Sequence, residues 1–198
     1  EQVYTTKASD TVSWFQPHAE MSMRLIRDTG LGHDAAIIDV GAGASTLVDD
    51  LLDDGYGHVT ILDLSAAALA ETQQRLDMRS SSVKWWVADI TLADFEPHSF
   101  DIWHDRAVFH FLTTDVDRRK YVQQLLRALK PGGHVIMATF GAKGPTQCSG
   151  LPVMRYEPEA LHAEFGEAFV LLKHEEQMLQ FKQCFQKPFT RSHPLEAR

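Results

Sequence analysis

The chain has 198 residues, enough for one compact domain with a substantial hydrophobic core and no need of disulfides. Its 27 acidic and 19 basic residues give a formal net charge of −8, which disfavours binding to a polyanion such as DNA or RNA. No apolar run approaches the roughly 20 residues that cross a bilayer, and no basic-then-apolar leader opens the sequence. The two cysteines do not suggest a disulfide framework, so the composition predicts a cytoplasmic protein without membrane contact.

Apolar runs of strand length alternate with amphipathic helical stretches along most of the chain. This alternation is typical of a parallel sheet with helices on both faces. The sequence therefore predicts an α/β fold with a single Rossmann-like, doubly wound sheet of seven strands, mostly parallel, with a reversed last strand. The five strands of the core are predicted at 35–40, 59–63, 83–89, 100–106 and 134–140.

The helix signals and the end of the chain complete this prediction. Ser65 is expected to cap one helix, and Thr114 or Asp115 another. Near the C-terminus, strand-like runs at 168–172 and 178–185 are separated only by a short charged segment. Because a parallel pair needs a longer crossover, these runs predict an antiparallel hairpin, followed by a loose tail from Lys187.

We predict that residues 1–198 form a single domain. Its parts are expected to be an N-terminal helical segment or lid at 1–30, a cofactor-binding core at 35–140, and an acceptor-side loop, helix and hairpin at 141–198.

A glycine-rich loop follows the first predicted strand. Gly41 and Gly43 allow a ligand to approach the backbone closely. The dinucleotide fingerprint requires glycine or alanine three residues after Gly43, where Thr46 stands. Asp39 would repel a pyrophosphate but attract an α-ammonium group. The loop therefore favours an adenosyl amino acid over NAD.

Two later strand ends also carry acids. Asp63 lies about twenty residues after the glycine loop, where a carboxylate accepts hydrogen bonds from both ribose hydroxyls. Its alternative role is to cap the following helix. Asp89 is placed to accept a hydrogen bond from the adenine amino group while Ile90 packs on the ring, or it only ends a strand in a turn.

The order of these motifs resembles that of the class I S-adenosylmethionine-dependent methyltransferases, over residues 35–140 and including the segment Leu129-Lys-Pro-Gly-Gly133. One departure is Ser45, where the family often has a third glycine; a small hydroxyl residue still permits close approach and can cap the helix. The resemblance implies S-adenosylmethionine as cofactor and S-adenosylhomocysteine as product. The residues implied to line the cofactor are Asp39, Gly41, Gly43, Ser45, Asp63, Leu64, Asp89, Ile90 and His104.

The resemblance also places the end of the fourth strand beside the sulfonium, so His104, Asp105 and Arg106 are expected near the methyl acceptor. The Asp-Arg pair resembles thiopurine methyltransferases, which act on small thiols; its alternative is a structural ion pair. His110 is either a base or part of a buried helix face. The catalytic candidates, needed if the acceptor is protonated, are His104, Asp105 and His110.

Two segments outside the core are further candidates for acceptor contacts. Trp14 and Phe15 resemble an aromatic segment of elongation-factor lysine methyltransferases and are expected either to close over the cofactor or only to pack. The loop after the fifth strand is rich in glycine and proline and is predicted to be a lid that presents Arg155 and Tyr156. Cys148 on the same face is a candidate for thiol or metalloid chemistry.

The sequence as a whole predicts transfer of a methyl group to a small molecule by in-line displacement, with a protein lysine as the alternative acceptor. The ten histidines show no His-x-x-x-His spacing and the cysteines no Cys-x-x-Cys spacing, so no metal is expected. The rival functions are a nicotinamide-dependent reductase, an aminopropyltransferase and a cofactor-binding module without turnover.

Overall fold

The computed structural model of the protein describes residues 17–180 and 186–197. Five parallel strands form the centre of its sheet, which confirms the predicted α/β, Rossmann-like fold. They are β1 (Ala36–Val40), β2 (His58–Asp63), β3 (Val83–Val87), β4 (Phe100–Arg106) and β5 (Leu129–Thr139). Their order across the sheet is β3-β2-β1-β4-β5. The chain therefore changes direction across the sheet between β1 and β4, and ligands of such sheets bind at the carboxyl ends of the strands beside this point.

The helices of the described residues are α1 (Glu20–Asp28), α2 (Leu47–Asp54), α3 (Ala66–Leu76), α4 (Asp115–Ala128) and α5 (Pro158–Phe165). Two of them begin at the predicted caps: the Ser65 hydroxyl accepts from the Ala68 amide at 3.2 Å, and the Thr114 hydroxyl accepts from the Asp117 amide at 3.2 Å. Within residues 17–180 and 186–197, no helix combines the length and apolar character needed to span a membrane.

The helices cover both faces of the sheet, because successive side chains of a strand point to opposite sides. On one face, Ile37 of β1 and Ile102 of β4 belong to a core that includes residues of α1, α2 and α3. On the other face, Ile38 and Trp103 belong to a core that includes residues of α4 and α5. Neighbouring residues of one strand thus serve different layers.

The end of the chain differs from the predicted hairpin. After a short hairpin of β6 (Gln147–Cys148) and β7 (Leu151–Pro152), the chain forms β8 (Phe169–Leu171), β9 (His174–Gln180) and β10 (Gln186–Ala197). β10 is antiparallel to β5, β8 and β9. The charged segment that was taken for a turn lies at a sheet edge, where a strand tolerates charged side chains. The segment from Lys187 belongs to β10 and is not a loose tail. Among the described residues the sheet has eight strands where seven were predicted, since Leu172 and Lys173 separate β8 from β9, both of which pair with β10.

A chain of buried hydrogen bonds joins β4 to α4. The Trp103 indole N–H donates to the Tyr121 hydroxyl at 2.8 Å, and this hydroxyl donates to Asp105 Oδ2 at 2.6 Å. All three side chains are fully buried. Burial raises the pKa of Asp105 to about 6, and the hydrogen bond from Tyr121 acts in the opposite direction.

We expect Tyr121→Phe to lower the free energy of unfolding by about 2–3 kcal/mol, because it keeps the ring but removes both hydrogen bonds from buried partners. Urea unfolding followed by tryptophan fluorescence measures the change. A loss below about 0.5 kcal/mol, within the range of ordinary surface substitutions, would show that the two hydrogen bonds of Tyr121 contribute little to stability.

Candidate functional site

The glycine loop after β1 has a backbone that other residues rarely adopt. Gly41 has φ of +67° and Gly43 has φ of +53°. A Cβ at Gly41 would lie 1.8 Å from Cγ2 of Val108, in the loop that follows β4. The sequence explained Gly41 by the approach of a ligand; the structure adds the approach of Val108. The loops after β1 and β4 are therefore in direct contact at the candidate site.

Residues from β2 and α3 hold this loop in place. The Gly43 amide donates to Asp63 Oδ2 at 2.7 Å, and the Thr72 hydroxyl donates to the Gly43 carbonyl at 3.0 Å. The Arg75 guanidinium donates to the Ser45 carbonyl at 2.6 Å. The sequence alone does not identify Thr72 and Arg75 as contacts of this loop, because nothing in a helical pattern reveals a partner about thirty residues earlier in the chain.

Asp63 accepts hydrogen bonds from the glycine loop and from the start of α3, and its predicted contact with ribose stays a prediction. Oδ1 accepts from the Ser65 amide at 2.7 Å, as a helix-initiating turn requires, and Oδ2 accepts from Gly43. Burial raises the pKa of the half-buried Asp63, and its backbone hydrogen bonds with Ser65 and Gly43 lower it. Because each carboxylate oxygen has two lone pairs, both retain acceptor capacity for ribose hydroxyls.

The two predicted adenine contacts after β3, Asp89 and Ile90, differ in their exposure to solvent. Asp89 is exposed, and its Oδ1 accepts from the Thr91 amide and hydroxyl, both at 2.8 Å, in the arrangement of a turn aspartate. Ile90 is 5% exposed and belongs to the core, and its contact with the adenine ring stays a prediction.

Apolar side chains are exposed at the ends of β2 and β3. Leu64, predicted as a cofactor contact, is 70% exposed, and Val87 and Leu92 are 56% and 71% exposed. Val87 and Leu92 were not among the predicted contacts, because the sequence does not reveal that β3 lies at the sheet edge. These three side chains offer apolar surface beside Asp63 and Asp89.

A buried hydrogen-bonded chain connects Asp39, His104 and Ser22, all at most 3% exposed. Asp39 and His104 are paired in the register of β1 and β4, and His104 Nδ1 lies 2.7 Å from Asp39 Oδ1. His104 Nε2 lies 2.9 Å from the Ser22 hydroxyl on α1. Asp39 Oδ2 is buried and has no hydrogen-bond partner among the residues that the structure describes.

His104 and Asp105 were predicted to share one acceptor surface, but they belong to opposite layers. His104 contacts α1 through Ser22, and both of its ring nitrogens are engaged. Asp105 contacts α4 and accepts from the Val108 and Phe109 amides at 2.7 and 3.1 Å. Both side chains are buried, because consecutive strand residues point into the two cores. Arg106 is half-buried at the end of β4 and remains a predicted acceptor contact.

His110 lies in a short 3-10 turn after β4 and is fully buried. Its ring stacks on Phe140, with centroids 4.8 Å apart and planes at 11°, and meets Phe111 edge-on. Neither ring nitrogen has a hydrogen-bond partner within the described ranges. Burial lowers the pKa of His110 to about 4, so the imidazole is neutral near pH 7.

The loop after β5 covers His110. It contains a small hairpin of β6 (Gln147–Cys148) and β7 (Leu151–Pro152), and the Met154 amide donates to the His110 carbonyl at 2.7 Å. Cys148 is half-buried and packs near Phe111 and Phe140.

Of the two side chains that this loop was predicted to present, Arg155 is exposed and stays a predicted acceptor contact. Arg155 donates to the Ala142 and Gly144 carbonyls at 2.9 and 3.3 Å, which closes the loop on itself. Tyr156 is 3% exposed and packs on Phe109, so it lies inward and does not line an open surface. Trp14 and Phe15 lie outside the described residues. In the part of the chain that is described, no three or more His, Cys, Asp or Glu side chains form a group that could hold a metal ion.

Comparison with known proteins identifies the motif pattern. A family model described as a methyltransferase domain matches residues 37–133. Phosphoethanolamine N-methyltransferase 2 of Caenorhabditis elegans is 31% identical over 106 residues, which cover 53% of this chain and 24% of that protein. EEF1A lysine methyltransferase 2 of Homo sapiens is 26% identical over 146 residues, which cover 71% of this chain and 56% of that protein.

A solved structure agrees over nearly the whole chain. The 1,6-didemethyltoxoflavin-N1-methyltransferase of Burkholderia thailandensis, with bound 1,6-didemethyltoxoflavin and S-adenosylhomocysteine, has a TM-score of 0.68 and 20% identity. It covers 98% of this chain and 80% of its own, and at this identity the likeness shows a shared fold. The match covers 24% of the length of the Caenorhabditis elegans protein and 56% of the length of the human protein. The class predicted from the motifs is confirmed.

We expect His110→Phe to make the protein less sensitive to acid. The folded pKa of about 4 lies below the usual 6.5, so the buried neutral ring contributes stability above pH 6.5 that is lost as the pH falls toward 4. Between pH 7.5 and pH 5, the unsubstituted protein should lose about 2 kcal/mol more unfolding free energy than the variant. Urea titrations at both pH values measure this difference.

His58→Phe, at an exposed position at the start of β2, is the matched control and should keep the pH dependence of the unsubstituted protein. An identical pH dependence in the His110 variant would mean that His110 is not held neutral in the folded state.

Proposed function

We propose that this chain, which belongs to the class I S-adenosylmethionine-dependent methyltransferases, binds S-adenosylmethionine at the carboxyl ends of β1, β2 and β3 and transfers the methyl group to a small molecule. The cofactor, when bound, supplies an electrophilic methyl group on a sulfonium. The residues of this chain bind and orient the donor, enclose the acceptor and accept its proton where it has one. Such positioning alone supplies a large part of the acceleration in a bimolecular displacement.

The buried carboxylate of Asp39 is the observation that carries this proposal. Its Oδ1 accepts from His104, while Oδ2 has no partner in the described part of the chain. A buried, unpaired carboxylate oxygen costs several kcal/mol unless a donor or cation reaches it. An α-ammonium group meets this need, whereas the pyrophosphate of a dinucleotide would be repelled. The residue therefore fits an adenosyl amino acid.

Neighbouring residues fit the adenosine half of the same cofactor. Asp63 retains acceptor capacity on both oxygens, as ribose hydroxyls require. Leu64, Val87 and Leu92 provide exposed apolar surface for the adenine ring. We assign them to the cofactor site together with Gly41, Gly43, Ser45 and Asp89.

His110 is our candidate for the general base. Its ring nitrogens have no hydrogen-bond partner in the described part of the chain, so they are available to accept a proton from the acceptor when the methyl group is transferred. Burial lowers the pKa of the ring to about 4 and thereby weakens it as a base, so this step requires the covering loop to open first. In that step the acceptor's lone pair forms the new bond to the methyl carbon, the bond from that carbon to sulfur breaks, and the proton moves to His110. Because the ring is fully buried, the covering loop at 141–157 must open to admit the acceptor.

A small-molecule acceptor fits this enclosed arrangement better than a surface lysine. The relatives that act on phosphoethanolamine and on 1,6-didemethyltoxoflavin support this choice. The human EEF1A lysine methyltransferase 2, which matches 71% of this chain, supports a protein lysine as the second candidate. Transfer of labelled methyl groups to a small-molecule panel and to whole protein extracts separates the two.

Further predictions belong to the same proposal. We interpret β8 and β9 as one interrupted strand, which gives the expected seven-stranded sheet with a reversed last strand. The single-domain organisation, the cytoplasmic location and the lack of nucleic acid binding expected from the charge of −8 likewise stay predictions.

We expect S-adenosylhomocysteine to bind and to stabilise the protein, and NADH not to do so. Ligand at about a hundred times its dissociation constant stabilises by roughly 2.7 kcal/mol. Because Asp39→Asn removes a charge-assisted hydrogen bond to the ammonium group, it should weaken S-adenosylhomocysteine binding about tenfold or more. Calorimetric titration and thermal unfolding measure both effects.

Asp53→Asn is the matched control, since this carboxylate lies exposed on α2, and it should leave binding unchanged. Binding of NADH alone, or of neither compound, would refute the proposed function. Binding of decarboxylated S-adenosylmethionine in preference to S-adenosylmethionine would indicate an aminopropyltransferase.

A further inference from the structure

Ser22 is the one polar side chain among the buried residues of α1, which otherwise are Met23, Leu25 and Ile26. Ser22 is spaced three and four residues from Leu25 and Ile26, so it lies on the helix face that packs against the sheet. Its hydroxyl contacts His104, and His104 contacts Asp39. Through His104, α1, which lies outside the residues that the family model matches, is thereby connected to Asp39 at the end of β1.

The ionised carboxylate of Asp39 determines which atoms donate and which accept in these two hydrogen bonds. An ionised carboxylate only accepts, so the bond at 2.7 Å to Asp39 Oδ1 requires the proton on His104 Nδ1. In a neutral imidazole Nε2 then has no proton and accepts from the Ser22 hydroxyl at 2.9 Å. Asp39 thus sets the tautomer of His104, and the Ser22 hydroxyl, bonded to the other ring nitrogen, holds the ring in the orientation that donates to Asp39.

We infer that Ser22 and His104 are positioning residues for the cofactor: through them α1 fixes one oxygen of Asp39 and leaves Oδ2 to accept the α-ammonium group. This inference rests on the proposed function and adds the N-terminal helix to the cofactor site. His104 acts through Asp39 and takes no proton from the acceptor.

The attachment of α1 to the rest of the fold supports this role. The Ala19 amide donates to Asp50 Oδ2 at 2.6 Å, and Arg27 donates to both oxygens of Asp54 at 2.7 and 2.9 Å. Both acids lie on α2, the helix that leaves the glycine loop. These bonds hold α1 against α2, and from this position the Ser22 hydroxyl contacts His104.

The test compares S-adenosylhomocysteine with 5′-methylthioadenosine, which lacks the amino acid part, in calorimetric titrations. Ser22→Ala should weaken S-adenosylhomocysteine binding about fivefold to tenfold, the effect of one lost hydrogen bond, and change 5′-methylthioadenosine binding less than about twofold. His104→Leu should have the larger effect on S-adenosylhomocysteine. The double variant should bind like His104→Leu, because Ser22 acts through the ring.

Ser99→Ala is the matched control: it removes a hydroxyl that has no hydrogen-bond partner among the described residues, just before β4, and should change neither affinity. Equal weakening of both ligands by Ser22→Ala would show a merely structural role, and an additive double variant would break the link through His104. Either result overturns the inference while the proposed function stands. If the unsubstituted protein binds neither ligand, the proposed function fails and the inference fails with it.

Hydrogen exchange on the unsubstituted protein gives an independent test that needs no variant to fold. S-adenosylhomocysteine should slow amide exchange in α1, whereas 5′-methylthioadenosine should slow it only around Asp63 and the glycine loop. Equal protection of α1 by both ligands, or protection by neither, would contradict the coupling of this helix to Asp39.

Discussion

The carboxylate of Asp39 lies in the protein interior, where the loss of hydration disfavours an ionised group unless hydrogen bonds or a cation replace the water. His104 satisfies one oxygen from the neighbouring strand, and Ser22 holds His104 from the helix above. The second oxygen has no partner in the described structure. This carboxylate therefore links β1 with β4 and, through His104 and Ser22, with α1, and in the proposed function its second oxygen accepts the α-ammonium group of the cofactor.

The alternation of side chains along β4 explains how one short segment serves two purposes. His104 points toward α1 and the cofactor side of Asp39, whereas Asp105 points toward α4 and fixes the turn after the strand through Val108 and Phe109. That turn brings Val108 against Gly41 and buries His110 under the loop at 141–157. Donor and acceptor sides of the proposed site are therefore built from adjacent residues whose side chains enter different layers.

The sequence predicted the elements that local patterns determine. The five core strands, the caps at Ser65 and Thr114 and the glycine loop are found where the motifs placed them. It could not predict Thr72 and Ser22, because their partners are distant in the chain and depend on the packing of helices. The charged residues near Lys173 were misread for the same reason: a turn and an edge strand share this composition, and only the sheet order separates them.

A crystal structure of the complex with S-adenosylhomocysteine tests the central claim most directly, because it locates the amine nitrogen relative to Asp39. Our account predicts this nitrogen within hydrogen-bond distance of Asp39 Oδ2, with His104 still bonded to Oδ1 and to Ser22. A complex in which the amine contacts other groups, or in which His104 has turned away from Asp39 toward the acceptor side, would contradict it.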